Sequence, residues 1–294
     1  SVNGSALNFE GIASVDGGSA TSSLDATSLA AAPLYLLNAA DSLVSTAADG
    51  GGGITFTNFG GISVGQLDAT AIGGAPLYLR SASGTQVSTS RTGGTLISGL
   101  SGVRASRLDT NGNGASLSIS GAGSLATAAV TFSNVAEFSG GDTSTISGGT
   151  GWSVLAGAGA EENSSGIDFS GNWIVDAASL SLAGSDSGDT FVLNADGSVE
   201  TEQLTFRDLT SVLGGSGGDT LNALAYSDGL NLIGTAGALD TSSVLFRQIE
   251  NVSATSVNAA TVGSDFTRAD DVIVADGLNF SDLDRVNGGG ATDS

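Results

Sequence analysis

The 294-residue chain carries 30 acidic and 8 basic residues, a formal charge of −22, and it contains no Cys, Met or His; all eight basic residues are Arg, so Lys is absent as well. Without His, Cys or Lys it cannot assemble a Ser-His-Asp triad, a Cys-His pair, a Schiff base or an imidazole-held metal, and its negative field repels nucleic acid and anionic membrane surfaces. The 40% of hydrophobic residues still suffice for a core, and 46 Gly among short Val, Ile and Leu clusters predict many short strands joined by tight turns. The longest apolar stretch, residues 29–37, is interrupted by Pro33 and is too short to span a membrane. The first residues lack the basic and apolar regions of a secretion signal, so any export signal is expected outside this sequence.

Read in chain order, one phrase recurs: an apolar residue, any residue, Phe, and then apolar residues three and six positions later. It opens with Leu7-Asn8-Phe9, Ile12 and Val15, and returns as Ile54-Thr55-Phe56, Phe59 and Ile62. A degenerate copy at Ile97, Leu100 and Val103 precedes Val130-Thr131-Phe132, Val135 and Phe138. Ile167-Asp168-Phe169 follows with Asn172 in place of the first apolar residue, then Leu204-Thr205-Phe206, Leu209 and Val212. Phe246, Ile249 and Val252 come next, and Leu278-Asn279-Phe280, Leu283 and Val286 close the series. The landmarks are 34 to 47 residues apart, about 39 on average.

Between landmarks lies a second signature, Leu24-Asp25-Ala26-Thr27, Leu67-Asp68-Ala69-Thr70, Leu108-Asp109-Thr110 and Leu221-Asn222-Ala223. A short alternating strand comes after it: Ala32-Pro33-Leu34-Tyr35-Leu36 and Ala75-Pro76-Leu77-Tyr78-Leu79 are near-identical copies, with Leu117-Ser118-Ile119 and Leu230-Asn231-Leu232 as weaker equivalents.

Units of this length with several short strands and no helical period are stacked supersecondary repeats. The expected fold is all-β, a right-handed parallel β-helix (β-solenoid) spanning 1–294 as one array, broken off in mid-repeat at the C-terminus. At roughly 20 residues per coil, one repeat would make two coils stacked about 4.8 Å apart. The Phe series is then a buried core column. The alternative architecture is an array of β-sandwich domains, which would favour longer alternating runs and regular hairpin turns.

Four residues are candidate Ca²⁺ ligands. Gly214-Gly215-Ser216-Gly217-Gly218-Asp219-Thr220-Leu221 has the calcium-binding nonapeptide pattern, with Asp219 as the ligand, although the phrase is not in tandem and a Gly-rich corner is the competing reading. Its nearest relatives are residues 184–189, 140–142 and 288–293. Asp109, Asn111 and Asn113 fit the first half of an EF-hand-like loop, but position twelve is Ser120, which leaves an Asx turn as the alternative. Calcium is therefore an optional ligand and no cofactor is required. The adjacent carboxylates Glu161-Glu162 and Asp270-Asp271 read as solvated loops. Arg80, Arg91, Arg104 and Arg107 form either a face for acidic polysaccharide or scattered surface charge. Trp152 and Trp173 serve either as sugar platforms or as core.

Residues 245–252, Leu-Phe-Arg-Gln-Ile-Glu-Asn-Val, and 132–142, Phe-Ser-Asn-Val-Ala-Glu-Phe-Ser-Gly-Gly-Asp, resemble repeats of giant bacterial exoprotein adhesins. These are the filamentous-haemagglutinin-like, two-partner-secretion and biofilm-matrix adhesins, and the likeness covers most of the chain. The resemblance implies a β-helical shaft, secretion to the cell surface or extracellular matrix, and a spacing or adhesive role without enzyme activity. The partners expected are neighbouring repeats of the same chain, head-to-tail copies of itself or extracellular polysaccharide. The competing functions are a surface-layer lattice protein and a β-helical polysaccharide-binding protein or lyase.

Overall fold

The computed structural model describes residues 13–27, 34–38, 42–45, 53–141, 144–149, 151–155, 161–178, 180–233, 238–259, 266–269 and 272–288. Among them every regular element is a strand except a 3-10 turn at Thr70–Ile72. The strands stack as a β-solenoid, the parallel β-helix expected from the repeats. They fall into two compact units, 1–115 with 124–135, and 116–123 with 136–294.

In the second unit a repeat consists of five strands. Thr190–Leu193, Val199–Glu200 and Leu204–Arg207 form an antiparallel meander. Ser211–Leu213 and Thr220–Asn222 follow singly, each pairing in parallel with the coil before and the coil after. The next repeat reuses the plan, with Leu230–Leu232, Ala238–Asp240 and Leu245–Arg247 as its meander. Hydrogen-bonded neighbours trace two ladders, one from Glu137–Ser139 to Arg285–Asn287 and one from Ser116–Gly121 to Phe266–Ala269. The chain changes ladder after every meander and every single strand. A repeat thus makes three changes of ladder, an odd number, so successive meanders fall on alternate ladders.

Pleating points every second side chain inward, so registered strands stack like residues into columns. One column is Phe191, Leu221, Val252 and Phe280; another is Trp152, Leu182, Val212 and Phe246. None of these eight is more than 2% exposed. Rings close the gap between ladders, Trp152 lying 5.5 Å from Phe206 and Phe138 lying 4.9 Å from Trp173 by centroid. Both Trp residues are thus core.

The register explains the repeat length. Phe246 stacks on Val212, Phe280 on Val252 and Phe206 on Val175, each partner being the residue six positions after the previous landmark. A coil is therefore shorter than a repeat by six residues, and each landmark steps one strand around the solenoid relative to the last. Parallel partners are about 30 residues apart, as for Leu182 with Val212 and Phe191 with Leu221, with extremes of 27 and 41. The expected coil of roughly 20 residues, two per repeat, does not hold, because the meander lays three strands on one ladder before the chain crosses over.

The crossing has a local cause. Two residues after each landmark the backbone enters the left-handed region: Asn58, Asn134, Asp208, Gln248 and Asp282 have φ between 54° and 61°, and Gly99 and Gly171 have φ of 73° and 87°. Asn, Asp and Gly tolerate this conformation best. In the second unit it ends the Phe strand and turns the chain to the other ladder, whereas Asn58 lies within the strand Thr55–Ser63.

The first unit obeys the same rules, with Phe56 on Val15, Ile97 on Ile62 and Phe132 on Val103. Its two Ala-Pro-Leu-Tyr-Leu copies sit in opposite registers. Tyr35 is buried and Leu36 is 37% exposed, whereas Leu77 and Leu79 are buried and Tyr78 faces outward beneath Arg91, 5.6 Å from its ring centroid. One residue of slip exchanges the faces of a strand. Phe56, Phe132, Phe206, Phe246 and Phe280 are all buried as expected; Phe9 and Pro33 lie outside the described residues.

Candidate functional site: a stacked acidic corner

Within the second unit, residues 184–189 and 214–219 carry the chain from one ladder to the other at the same corner, one coil apart, and 248–250 turn it in the coil above. Main-chain bonds hold the level: Gly184 N–H donates to Leu213 O at 2.6 Å and Gly214 N–H to Arg247 O at 2.9 Å. Approach is so close that a Cβ on Gly214 would strike the Gln248 carbonyl and sit 2.7 Å from Asp219 Oδ2. A Cβ on Gly184 would likewise strike the Gly214 carbonyl and sit 2.8 Å from Asp189 Oδ2. Gly214 of the nonapeptide phrase is required here by packing, whereas nothing lies within 4 Å of a Cβ on Gly218.

Two acids in the corner clip the coil beneath them. Asp219 Oδ1 accepts the Asp189 N–H at 2.8 Å, and Glu250 Oε2 accepts the Asp219 N–H at 2.8 Å. Asp219 O in turn accepts the N–H groups of Glu250 and Asn251 at 3.2 and 2.9 Å. Ser216 Oγ donates to Asp186 Oδ1 at 2.9 Å. Three carboxylates therefore stand in one column, at intervals of 30 and 31 residues.

Their environments differ. Asp189 Oδ2 accepts the Ser185 N–H at 2.5 Å, and its Oδ1 accepts the Ser185 hydroxyl at 3.1 Å. Asp219 is 0% exposed, and its Oδ2 has no hydrogen-bond partner. Burial pushes the Asp219 carboxyl above the ordinary aspartate range; the Asp189 N–H pulls it back, and the charges of Glu250 and Asp189 push it further up. Asp68 shows the reverse balance: burial opposes its ionisation, but the Thr70 hydroxyl and N–H and the Arg104 guanidinium outweigh burial and hold it below the usual range.

Among the described residues no group of three or more Asp, Glu, His or Cys side chains is placed to hold a metal ion. Asp189, Asp219 and Glu250 are linked through main-chain N–H groups and do not converge on one point. The other candidate ligands meet around an Asx turn. Asp109 Oδ1 accepts the Asn111 N–H at 2.6 Å and its Oδ2 pairs with Arg91 at 2.7 Å. The side-chain amides of Asn111 and Asn113 donate to the carbonyls of Arg91 and Leu79 at 3.2 and 2.7 Å. The same turn recurs wherever the second signature occurs, with Asp25, Asp68 and Asn222 accepting the N–H two residues on.

The four clustered arginines are tied to the fold. Arg80 donates to the carbonyls of Ser90 and Arg91, Arg107 to that of Gly74, Arg91 pairs with Asp109 and Arg104 with Asp68. Glu161-Glu162 lie in the strand Glu161–Ser164 and not in a loop. Asp142, Asp270-Asp271 and 289–293 fall outside the described residues. A polar cleft that the sequence reading missed is lined by Asp196, Arg207, Asp208, Tyr226 and Asp228. There the Ser198 hydroxyl and N–H hold Asp196 below its ordinary range. Also unforeseen is an amide ladder: Asn287 donates to Asn258 and Asn258 to Asn231, each at 2.7 Å.

No protein-family model, no curated protein and no solved structure matches this chain.

Proposed function

We propose that the chain is a segment of a secreted structural or adhesive fibre, the load-carrying shaft of a bacterial surface or biofilm-matrix adhesin, and that it does no enzymatic chemistry. The observation that supports this reading is the coil-on-coil register. Inward residues of the parallel strands rest on ones in the neighbouring coil, and polar ladders such as Asn231, Asn258 and Asn287 continue the stacking outside. Stability of this kind is a sum over neighbours, so a shaft lengthens by adding coils without enlarging its core. The absence of His, Cys and Lys removes most catalytic nucleophiles and bases, and the charge of −22 keeps such a surface hydrated and away from other polyanions.

Immunogold electron microscopy of intact cells with antibody raised to this chain tests the proposal. Label along extracellular filaments or matrix is expected. Label confined to the cytoplasm, or spread over a regular planar lattice, would overturn it.

A further inference from the structure

We propose that the polar cleft around Arg207 and Tyr226 binds a neutral oligosaccharide, whose chain runs on from the cleft across the coils over Asp176 and Ser147. The site stands on its own geometry; the fibre reading supplies only the setting in which such a ligand would be met.

Three left-handed turns set the rim. Asp196-Gly197 closes the hairpin between Thr190–Leu193 and Val199–Glu200, Asp208 follows the strand Leu204–Arg207, and Asp228-Gly229 precedes Leu230–Leu232. The φ angles are 84° at Gly197, 58° at Asp208 and 78° at Gly229. Between these turns lies a cleft of about 340 Å³, within the size range of small-ligand sites. Asp196 is fixed there, its Oδ1 accepting the Ser198 hydroxyl at 2.6 Å and the Ser198 N–H at 3.0 Å. Tyr226 is 9% exposed, so a packed ring presents what remains of its surface to the cleft. Arg207 is exposed, and among the described residues its guanidinium has no ion-pair partner.

Arg207 and Asp208 also line a second trough, of about 400 Å³, so the two cavities are continuous. Its floor follows the ladder. Ser147, Asp176 and Arg207 are successive partners in register, and beside them run Ser116, Thr145 and Ile174. One coil therefore offers one rank of outward side chains about every 4.8 Å, a step comparable to the length of a pyranose unit.

The chemistry of the lining selects the ligand. Four carboxylates, Asp176, Asp196, Asp208 and Asp228, face one guanidinium, which disfavours uronates and sulfated sugars. Arg207 between them disfavours a cationic chain. Among the described residues no three acids are placed to hold a metal ion. A sugar hydroxyl both donates and accepts, so it satisfies a carboxylate and a guanidinium at once. Ile174 and the Tyr226 ring supply apolar surface for the C–H faces.

Titration calorimetry of the whole chain with maltohexaose, cellohexaose, laminarihexaose and mannohexaose tests this. At least one hexaose should bind, and its disaccharide should bind more weakly, since the shorter ligand fills the cleft and not the trough. Arg207→Ala and Asp228→Asn should each weaken the hexaose about tenfold or more, the loss of a charged hydrogen-bonding partner. Both side chains are exposed, and an unchanged Tm would show that the variants fold. Asp176→Asn should weaken the hexaose while leaving the disaccharide unaffected. Failure of all four hexaoses to bind, unchanged affinity in Arg207→Ala or Asp228→Asn, or tighter binding of polygalacturonate or oligolysine would overturn the proposal. Absence of binding would leave the shaft reading standing, and cytoplasmic immunogold label would leave a measured affinity untouched.

Discussion

The turns at 184–189 and 214–219 cross between the ladders at the same corner, one coil apart, and they differ in the donors they offer their Asp. In the lower turn Ser185 supplies an N–H and a hydroxyl to Asp189; in the upper turn the matching residue is Gly215, with φ of 107°, and Asp219 Oδ2 is left without a donor. The repeat thus keeps the path of the chain while Gly215 and Gly217 take a left-handed backbone that Ser185 and Ser187 do not. At Asp219 the neighbouring coils contribute both an N–H that favours the anion and acids that oppose it.

Substitutions can break that comparison. The largest effect is expected at Gly214→Ala, whose methyl group would meet both the Gln248 carbonyl and Asp219 Oδ2. Forcing backbone apart at such a site costs about 2 kcal/mol or more, read as a fall in the denaturant midpoint. Ser185→Ala should cost about 1 kcal/mol, since it removes the hydroxyl donor to Asp189 while leaving the N–H. Gly218→Ala is the control: nothing lies within 4 Å of its added methyl, so a change under about 0.5 kcal/mol is expected. A Gly214→Ala protein as stable as Gly218→Ala would show that the corner is not packed as described.

Part of this was legible in the residues. The Phe phrase was readable because a buried column tolerates only large apolar side chains; its residues at +3 and +6 are buried at Leu209, Ile249, Val212 and Val252, but in the last copy Val286 is 38% exposed. Coil length was not readable, because a landmark rests on the +6 residue of the preceding repeat and not on the preceding landmark. The left-handed residue at +2 was visible in Asn58, Asn134, Asp208 and Asp282, yet Gln248 hides it behind a side chain that does not favour that conformation. Asp219 was found through its glycines, but Asp189 and Glu250 could join it only once the coil of about 30 residues was known. The Ala-Pro-Leu-Tyr-Leu copies mark a limit of another kind, since identical words took opposite registers according to the strands that flank them.

Hydrogen exchange along the chain after Phe206→Ala is the most direct test of nearest-neighbour stacking. Phe206 is 0% exposed, stacks on Val175, pairs with Val199 and meets the Trp152 ring. Truncating it should cost about 3 to 5 kcal/mol. In a solenoid that loss is local: protection should fall at 152–155, 173–176 and 199–213 while 251–287 keeps its own. Equal loss from one end of the unit to the other would contradict the one-dimensional coupling on which both the fold and the proposed shaft depend.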